Sequence, residues 1–438
     1  MEEGEQNDYI GPVSVRIKTS RGADDLSNDL RAYGSTPSKL PSVLAERDDW
    51  WIDQITQSQA FLSALDDPAL KQQLQNPTVA NYINLPIPAY VGLTSRFSNV
   101  EENALLPIIQ RQIFTDLQTF VQAKEGLTYV HGPHGFGKSF ALYHLFCALS
   151  TYPNNRVLYI PDCDMINDAS IRKLFKAVAA AFALDEEFLK MIYPLALSLT
   201  YNSWDNLMDC IKRHCVINKL TFFAIFDQHN GLKQEQRRSE PTDLLLWPQY
   251  LNGPFFKLII SASANNDDQP LTKDTVSLFP FMEGLSPIEL SAWRAKNAFF
   301  VNEASLDELT ELTRNIPYEL SRVLDKVHEH KPPGPPPSLR QVLASYRGDR
   351  LLDLNDSHDK YLKDHGATEP DLRYGLVEHK CMLYMTVGIP LASAERHVFD
   401  RQFFFLTPQS EGFHLIRPSF PLALEMVLAR LQSLADVP

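Results

Sequence analysis

The chain has 438 residues, 44% of them apolar, and carries a formal charge of -13 at pH 7. That length and apolar share predict a globular chain of two or three domains, each with a real core. The acidic balance argues against a protein that coats nucleic acid or anionic lipid over its whole surface, while leaving room for a local basic patch.

The start, "MEEGEQNDYIGPVSVRIK", lacks the basic head and apolar core of a signal peptide. No run of about 18 apolar residues occurs, so no membrane span is predicted. Cys147, Cys163, Cys210, Cys215 and Cys381 contain no C-x-x-C pair and fit reduced thiols in an intracellular setting, cytoplasm or nucleus. Cys210, His214 and Cys215 share a predicted helix without a second ligand pair, which disfavours a zinc site.

In chain order, residues 1–45 are polar and weakly periodic and read as a flexible arm. A helical segment follows over 46–125: Trp50, Trp51, Ile55, Phe61 and Leu65 recur at helix spacing, "NLPIPAYVGLT" is a proline-bearing connection, and "VEENALLPIIQRQIFTDLQTFVQA" reads as one long amphipathic helix. Across 126–284, apolar strands at 127–131, 156–161, 220–227 and 256–264 alternate with helices around 138–149, 170–183 and 203–216. Strands that are apolar throughout, separated by helices, predict a parallel sheet covered on both faces: a three-layer α/β core. Residues 285–330 read as a helical lid, with a capping-box start at Ser286 and Glu289 and an interruption near Pro317. "KPPGPPPS" at 331–338 is a stiff linker, and 339–438 reads as a small winged-helix-like α+β domain with a hairpin around Glu411 and Gly412.

The chemistry concentrates in Gly132-Pro133-His134-Gly135-Phe136-Gly137-Lys138-Ser139, which fits G-x-x-x-x-G-K-[ST] at every fixed position. Glycines let backbone N–H groups curl around phosphate oxygens, lysine offers a point charge to the β and γ phosphates, and serine is a Mg²⁺ ligand. Context separates the match from chance: "LTYV" feeds the loop, and "SFALYHLFCAL", from Ser139 and Phe140 on, continues as a helix whose N-terminus would face the phosphates. The strand "LTFFAIFD" ends in Asp227, the acidic residue that would hold a water of the Mg²⁺ shell near Ser139. Gln228 follows, able to orient a water but not to take its proton.

Asp162 and Asp164 are further carboxylates at the same sheet edge, equally readable as loop or cap residues. Ser263 or Asn265 fits a γ-phosphate sensor, and Pro317, with Arg322 beyond it, fits an approach from the lid; a helix-start proline is the equal alternative. Arg237 and Arg238 read as a solvated loop more readily than as a cation supplied to a neighbouring subunit. Asp371, Glu378 and Lys380 match a metal-dependent nuclease only loosely, on a predicted helix.

Together "GPHGFGKSFALYHLF", "NNRVLYIPDC" and "IFDQHNGL" resemble the P-loop ATPase region of crinkler proteins, of the crinkler and retrotransposon-hot-spot type, over roughly residues 90–330. The resemblance implies a STAND-like or AAA-like NTPase module using ATP and Mg²⁺. In it Gly132, Gly137, Lys138 and Ser139 bind phosphate and metal, Asp227 is the Walker B acid, Gln228 is the usual next residue, and "LTRNIPYEL" is the lid motif. It further implies an effector secreted into a host cell and acting in its nucleus, but neither a Leu-Phe-Leu-Ala-Lys-like header nor a toxin domain is found.

The leading expectation is a Mg²⁺-dependent ATPase whose nucleotide state moves the lid and tail against a protein or nucleic-acid partner, with nucleotide-dependent homo-oligomers in reach and no membrane involved. The alternatives are a nucleotide-gated interaction protein with little turnover, and an effector whose tail contacts DNA.

Overall fold

In the computed structural model the described residues are 49–88, 105–161, 163, 171–198, 202–227, 253–263, 276–301, 306–329, 337–364, 391–392, 404–410, 413–418 and 421–435. The expectations for the N-terminal arm, Asp162, Asp164, Gln228, Arg237, Arg238, Asn265, Asp371, Glu378, Lys380, Cys381 and most of the proline-rich linker lie outside them, as does the Ser263 side chain.

The elements run α1 (Asp49–Leu65), α2 (Pro68–Gln75), β1 (Tyr82–Pro86), β2 (Leu105–Ile109), α3 (Gln112–Ala123), β3 (Gly126–Gly132) and α4 (Lys138–Ser150). There follow β4 (Asn155–Ile160), α5 (Ile171–Ala181), α6 (Glu186–Ser198), α7 (Asn202–Asn218), β5 (Thr221–Phe226), β6 (Phe256–Ser263) and β7 (Val276–Pro280). The lid and tail comprise α8 (Pro287–Lys296), α9 (Ala298–Val301), α10 (Asp307–Thr313), α11 (Pro317–Glu329), α12 (Leu339–Asp364), β8 (Leu391–Ala392), β9 (Phe404–Ser410), β10 (Phe413–Pro418) and α13 (Pro421–Ala435).

The central sheet is parallel, in the order β4-β5-β6-β3-β7. Its strands read as unbroken apolar runs because helices cover them; Phe222 through Phe226 are all buried. The chain leaves β3 for the far edge at β4, steps back through β5 to β6 beside β3, then crosses to β7 on the other side. Such a reversal opens a crevice at the carboxyl ends of the strands, and the loop after β3 lies there. Helix α4 is buried on every side from Ala141 to Leu149, as befits the helix that fills the sheet's centre.

The alternation predicted four of the five strands, β3 to β6, and missed β7. With Val276 and Ser277 partly exposed and Leu278 exposed, this edge strand lacks the continuous apolar signal of its neighbours. The long helix expected over "VEENALLPIIQRQIFTDLQTFVQA" is not formed. Leu105–Ile109 is a strand, antiparallel to β1 with Pro107 opposite Asn84, and only Gln112–Ala123 is helical. Leu106 and Ile108 alternate inward at strand period, and Pro107, which has no N–H to give, sits on an outward position of a two-stranded ribbon.

Residues Asp53–Pro438 form one compact unit. Phe61 of α1 stacks on Phe146 of α4 at 5.3 Å, and Leu422 and Met426 of α13 belong to the same buried cluster as the core of the lid. In the tail, β10 pairs with β9 and β8 in an antiparallel sheet, so the expected hairpin is present. Among the described residues no helix is long and apolar enough to cross a membrane.

Candidate functional site

The β3–α4 loop is shaped by two glycines that no other residue could replace without strain. Gly135 has φ +88° and Gly137 φ +97°, in the left-handed region, and a Cβ on Gly135 would stand 2.8 Å from the Tyr318 Cβ. Turns of this kind can bring successive backbone N–H groups to one concave side, and α4 begins at Lys138 directly beyond Gly137. The Lys138 ammonium curls back over the loop, donating to the carbonyls of Gly132 at 2.7 Å and Pro133 at 2.8 Å. Ser139 occupies the first turn of α4 and is 7% exposed.

Asp227 follows β5 and is 2% exposed. Its backbone N–H extends the ladder to the Ile160 carbonyl at 2.8 Å, and its carbonyl accepts from Cys163 N–H at 3.3 Å. Its Oδ1 accepts a hydrogen bond from the Ser261 hydroxyl of β6. Because β6 lies between β5 and β3, with Val130 opposite Ser261, this bond fixes the carboxylate toward the loop strand. Ser261 was not singled out from sequence; its signal is a hydroxyl that directly follows the apolar run "LII" inside the strand.

Beneath the carboxylate, Tyr159 of β4 is 4% exposed and faces α4, stacked on Phe146 at 5.1 Å and tilted against Tyr143 at 5.8 Å. Burial first and the Asp227 charge second push its phenol well above the ordinary tyrosine range, so it stays protonated. At the end of β3, burial and the nearby Lys138 charge lower the His131 pKa, which favours a neutral imidazole.

A second group supports the loop from behind. Arg111, just before α3, is 3% exposed and donates to Phe136 O at 2.7 Å, Glu283 O at 2.7 Å and Gly284 O at 2.8 Å. Glu289, in α8, accepts from the N–H of Ser286 and of Gln112, each at 2.9 Å, so one carboxylate caps two helix starts. The expected Glu289 cap of Ser286 is thus seen, whereas the Arg111 link was not visible as a pattern. Beside this group a cleft of about 480 Å³ opens, lined by Arg111, Phe136, Met282, Gly284, Pro287 and Arg314.

The lid reaches the loop at α11. Pro317 is its first residue, its Cγ 4.0 Å from where a Gly137 Cβ would stand; Tyr318 N–H donates to Gly135 O at 3.2 Å, and the His134 ring meets the Tyr318 ring edge-on at 5.1 Å. Pro317 is therefore both a helix-start proline and a neighbour of the loop. Arg322 donates to Tyr318 Oη at 3.3 Å and pairs with Asp353 of α12.

The donor set fits a magnesium-bearing nucleotide. Ser139 and Asp227 offer hard oxygens, and Gly135 and Gly137 hold the loop in left-handed turns that glycine adopts most readily. Among the described residues no group of three or more His, Cys, Asp or Glu could hold a metal alone. At Cys210, His214 and Cys215, His214 Nε2 lies 3.6 Å from Asp185.

No protein-family model matches the sequence, and no curated protein does. Solved structures with a similar arrangement include the Walker-type ATPase of Pyrococcus abyssi, at 13% identity over 73% of this chain and 96% of that one, TM-score 0.47. Another is the ORC1 protein of Aeropyrum pernix in complex with DNA, at 13% identity over 84% and 98%, TM-score 0.33. A STAND protein with a tetratricopeptide repeat sensor from Pyrococcus horikoshii matches at 14% identity over 73% of this chain and 42% of its own, TM-score 0.31. The fold assignment rests on this chain's own strand order and loop: it is a three-layer α/β protein of the P-loop NTPase class.

Proposed function

We propose that the chain binds ATP with Mg²⁺ at the β3–α4 loop and hydrolyses it. The observation that carries this is the convergence, at one sheet edge, of a left-handed glycine loop, Lys138 and Ser139 at a helix N-terminus, and a buried Asp227 held by Ser261. Backbone N–H groups from Gly135 to Ser139 take the phosphate oxygens, and Lys138 exchanges its two carbonyl partners for the β and γ phosphates. Ser139 and Asp227 hold the metal and its water; bound Mg²⁺ would neutralise charge developing on the transferred phosphoryl group. Gln228, next in the chain, orients the attacking water, and Asp162 is the second carboxylate offered to the reaction. The cleft beside Arg111 and Phe136 takes the nucleoside; its volume of about 480 Å³ lies within the range of small-molecule pockets.

The coupling we propose runs through the lid. Gly135, Tyr318, Arg322 and Asp353 form a continuous path from the loop to the tail helix α12. A nucleotide that displaces Tyr318 changes that path, and the tail passes the change to a protein or nucleic-acid partner or to a second copy. Membership of the crinkler-type ATPases, with the effector role it implies, is a proposal supported by the three sequence motifs.

The test is steady-state phosphate release by the full chain and Asp227→Asn. Release that falls at least about 100-fold with nucleotide binding retained supports an ATPase. Binding without release in the wild type favours the second reading, a nucleotide-gated interaction protein, for which glutamine after Asp227 in place of a proton-accepting glutamate is the motivating observation.

A further inference from the structure

Tyr159 raises a question that packing does not answer. Its ring fills an apolar slot between β4 and α4, a place phenylalanine would fill equally well, yet its hydroxyl is fully buried and makes no hydrogen bond among the described residues. Leaving a buried hydroxyl unpaired costs more than having none. The nearby Tyr143 hydroxyl, by contrast, reaches the Pro86 carbonyl.

The sheet register says which residues share a face with Tyr159. Tyr159 pairs with Ile225, and Asp227 lies two residues on from Ile225, on the same face. A diagonal neighbour on an adjacent strand is within reach of an aromatic side chain. Ser139, Tyr143 and Cys147 form a column on α4, at helix spacing. Ser261 offers its hydroxyl to Asp227 from the β6 side, and the Tyr159 hydroxyl belongs to the β4 side. One of them donates already; the other, on β4, is held by the Phe146 stack.

We propose that Tyr159 is a positioning residue for the metal half of the site: its hydroxyl donates to the water that Asp227 holds in the Mg²⁺ shell of the bound nucleotide. This rests on the nucleotide site proposed above. It assigns to β4, the edge strand, a part in metal binding, and it explains why a tyrosine occupies a slot shaped for a phenyl ring. Tyr159 does not touch the reacting atoms; it acts through the water and Asp227.

The experiment titrates Mg²⁺ into full-length protein saturated with a fluorescent non-hydrolysable ATP analogue, using wild type, Tyr159→Phe and Tyr143→Phe, and records the ligand-free Tm of each. The expected result is that Tyr159→Phe raises the Mg²⁺ concentration at half-effect by about 3- to 10-fold. Its Mg²⁺-free nucleotide affinity and its Tm should match or exceed wild type. Tyr143→Phe, which loses a made hydrogen bond, should lower Tm and leave the Mg²⁺ midpoint in place. A Tyr159→Phe midpoint equal to wild type overturns the proposal while leaving the nucleotide site standing. A wild type that binds no analogue overturns both.

Discussion

Arg111 and Glu289 lie 3.5 Å apart, each side chain 3% exposed, and between them they join α3, the β3–α4 loop and α8. Breaking a buried pair strands the remaining charge, so Glu289→Ala should destabilise the protein by about 3–5 kcal/mol, read as the loss of midpoint in chemical denaturation. Replacing both by apolar residues, Arg111→Met with Glu289→Leu, should recover only part of this. The carbonyls of Phe136, Glu283 and Gly284 would still lack their donor. Full recovery of stability in the double variant would show that Arg111 does not support the loop.

The loop glycines make a separable prediction. Gly126 has φ +74° with no atom of the described residues within 4 Å of a would-be Cβ, whereas Gly135 combines φ +88° with a Cβ position 2.8 Å from Tyr318. Gly126→Ala should cost only the conformational term, about 1–2 kcal/mol. Gly135→Ala should cost that and also move α11 away from the loop, weakening nucleotide affinity. Equal affinity in the two variants would contradict the shape assigned to the cradle.

Much of this arrangement was legible in the sequence because it is local. The glycine spacing, the apolar strand before it and the helix after it specify a loop that needs few distant partners, and Asp227 was marked by the end of an apolar run. Arg111, Ser261 and Tyr318 were not singled out, because their roles depend on partners 25, 34 and 183 residues away in the chain. The β1–β2 ribbon escaped notice for a related reason. Apolar residues at 105, 106, 108 and 109 fit either period in so short a run, and pairing with β1 decided the outcome.

Stability should fall with acid in a way that His144 explains in part. This imidazole is 0% exposed against Phe114 at 5.4 Å, and burial lowers its pKa to about 4. Its folded pKa lies below the unfolded value of about 6.5, so the unfolded state binds the extra proton first. The stability is present above about pH 6.5 and is lost as pH falls toward 4, by up to roughly 3 kcal/mol. His131, also lowered, acts in the same direction. Replacing His144 by Leu should flatten the unfolding free energy between pH 6.5 and 4; a slope equal to wild type would remove His144 from the account.

Coupling from loop to tail should depend on Arg322 and Asp353 more than stability does. Their side chains are 31% and 45% exposed, so Asp353→Asn should cost no more than about 1 kcal/mol. It should nonetheless reduce any nucleotide-dependent change in hydrogen exchange across α12. Exchange in α12 that responds to nucleotide equally in wild type and Asp353→Asn would show that this contact does not carry the signal.

The most direct measurement is calorimetric titration of MgATP into the full-length wild type and Lys138→Ala, with circular dichroism to show that both are folded. The account predicts one saturable site in the wild type, weakened at least about tenfold by the loss of a charge-assisted donor to phosphate. Folded wild type that takes up no MgATP, or Lys138→Ala that binds it equally well, would contradict it.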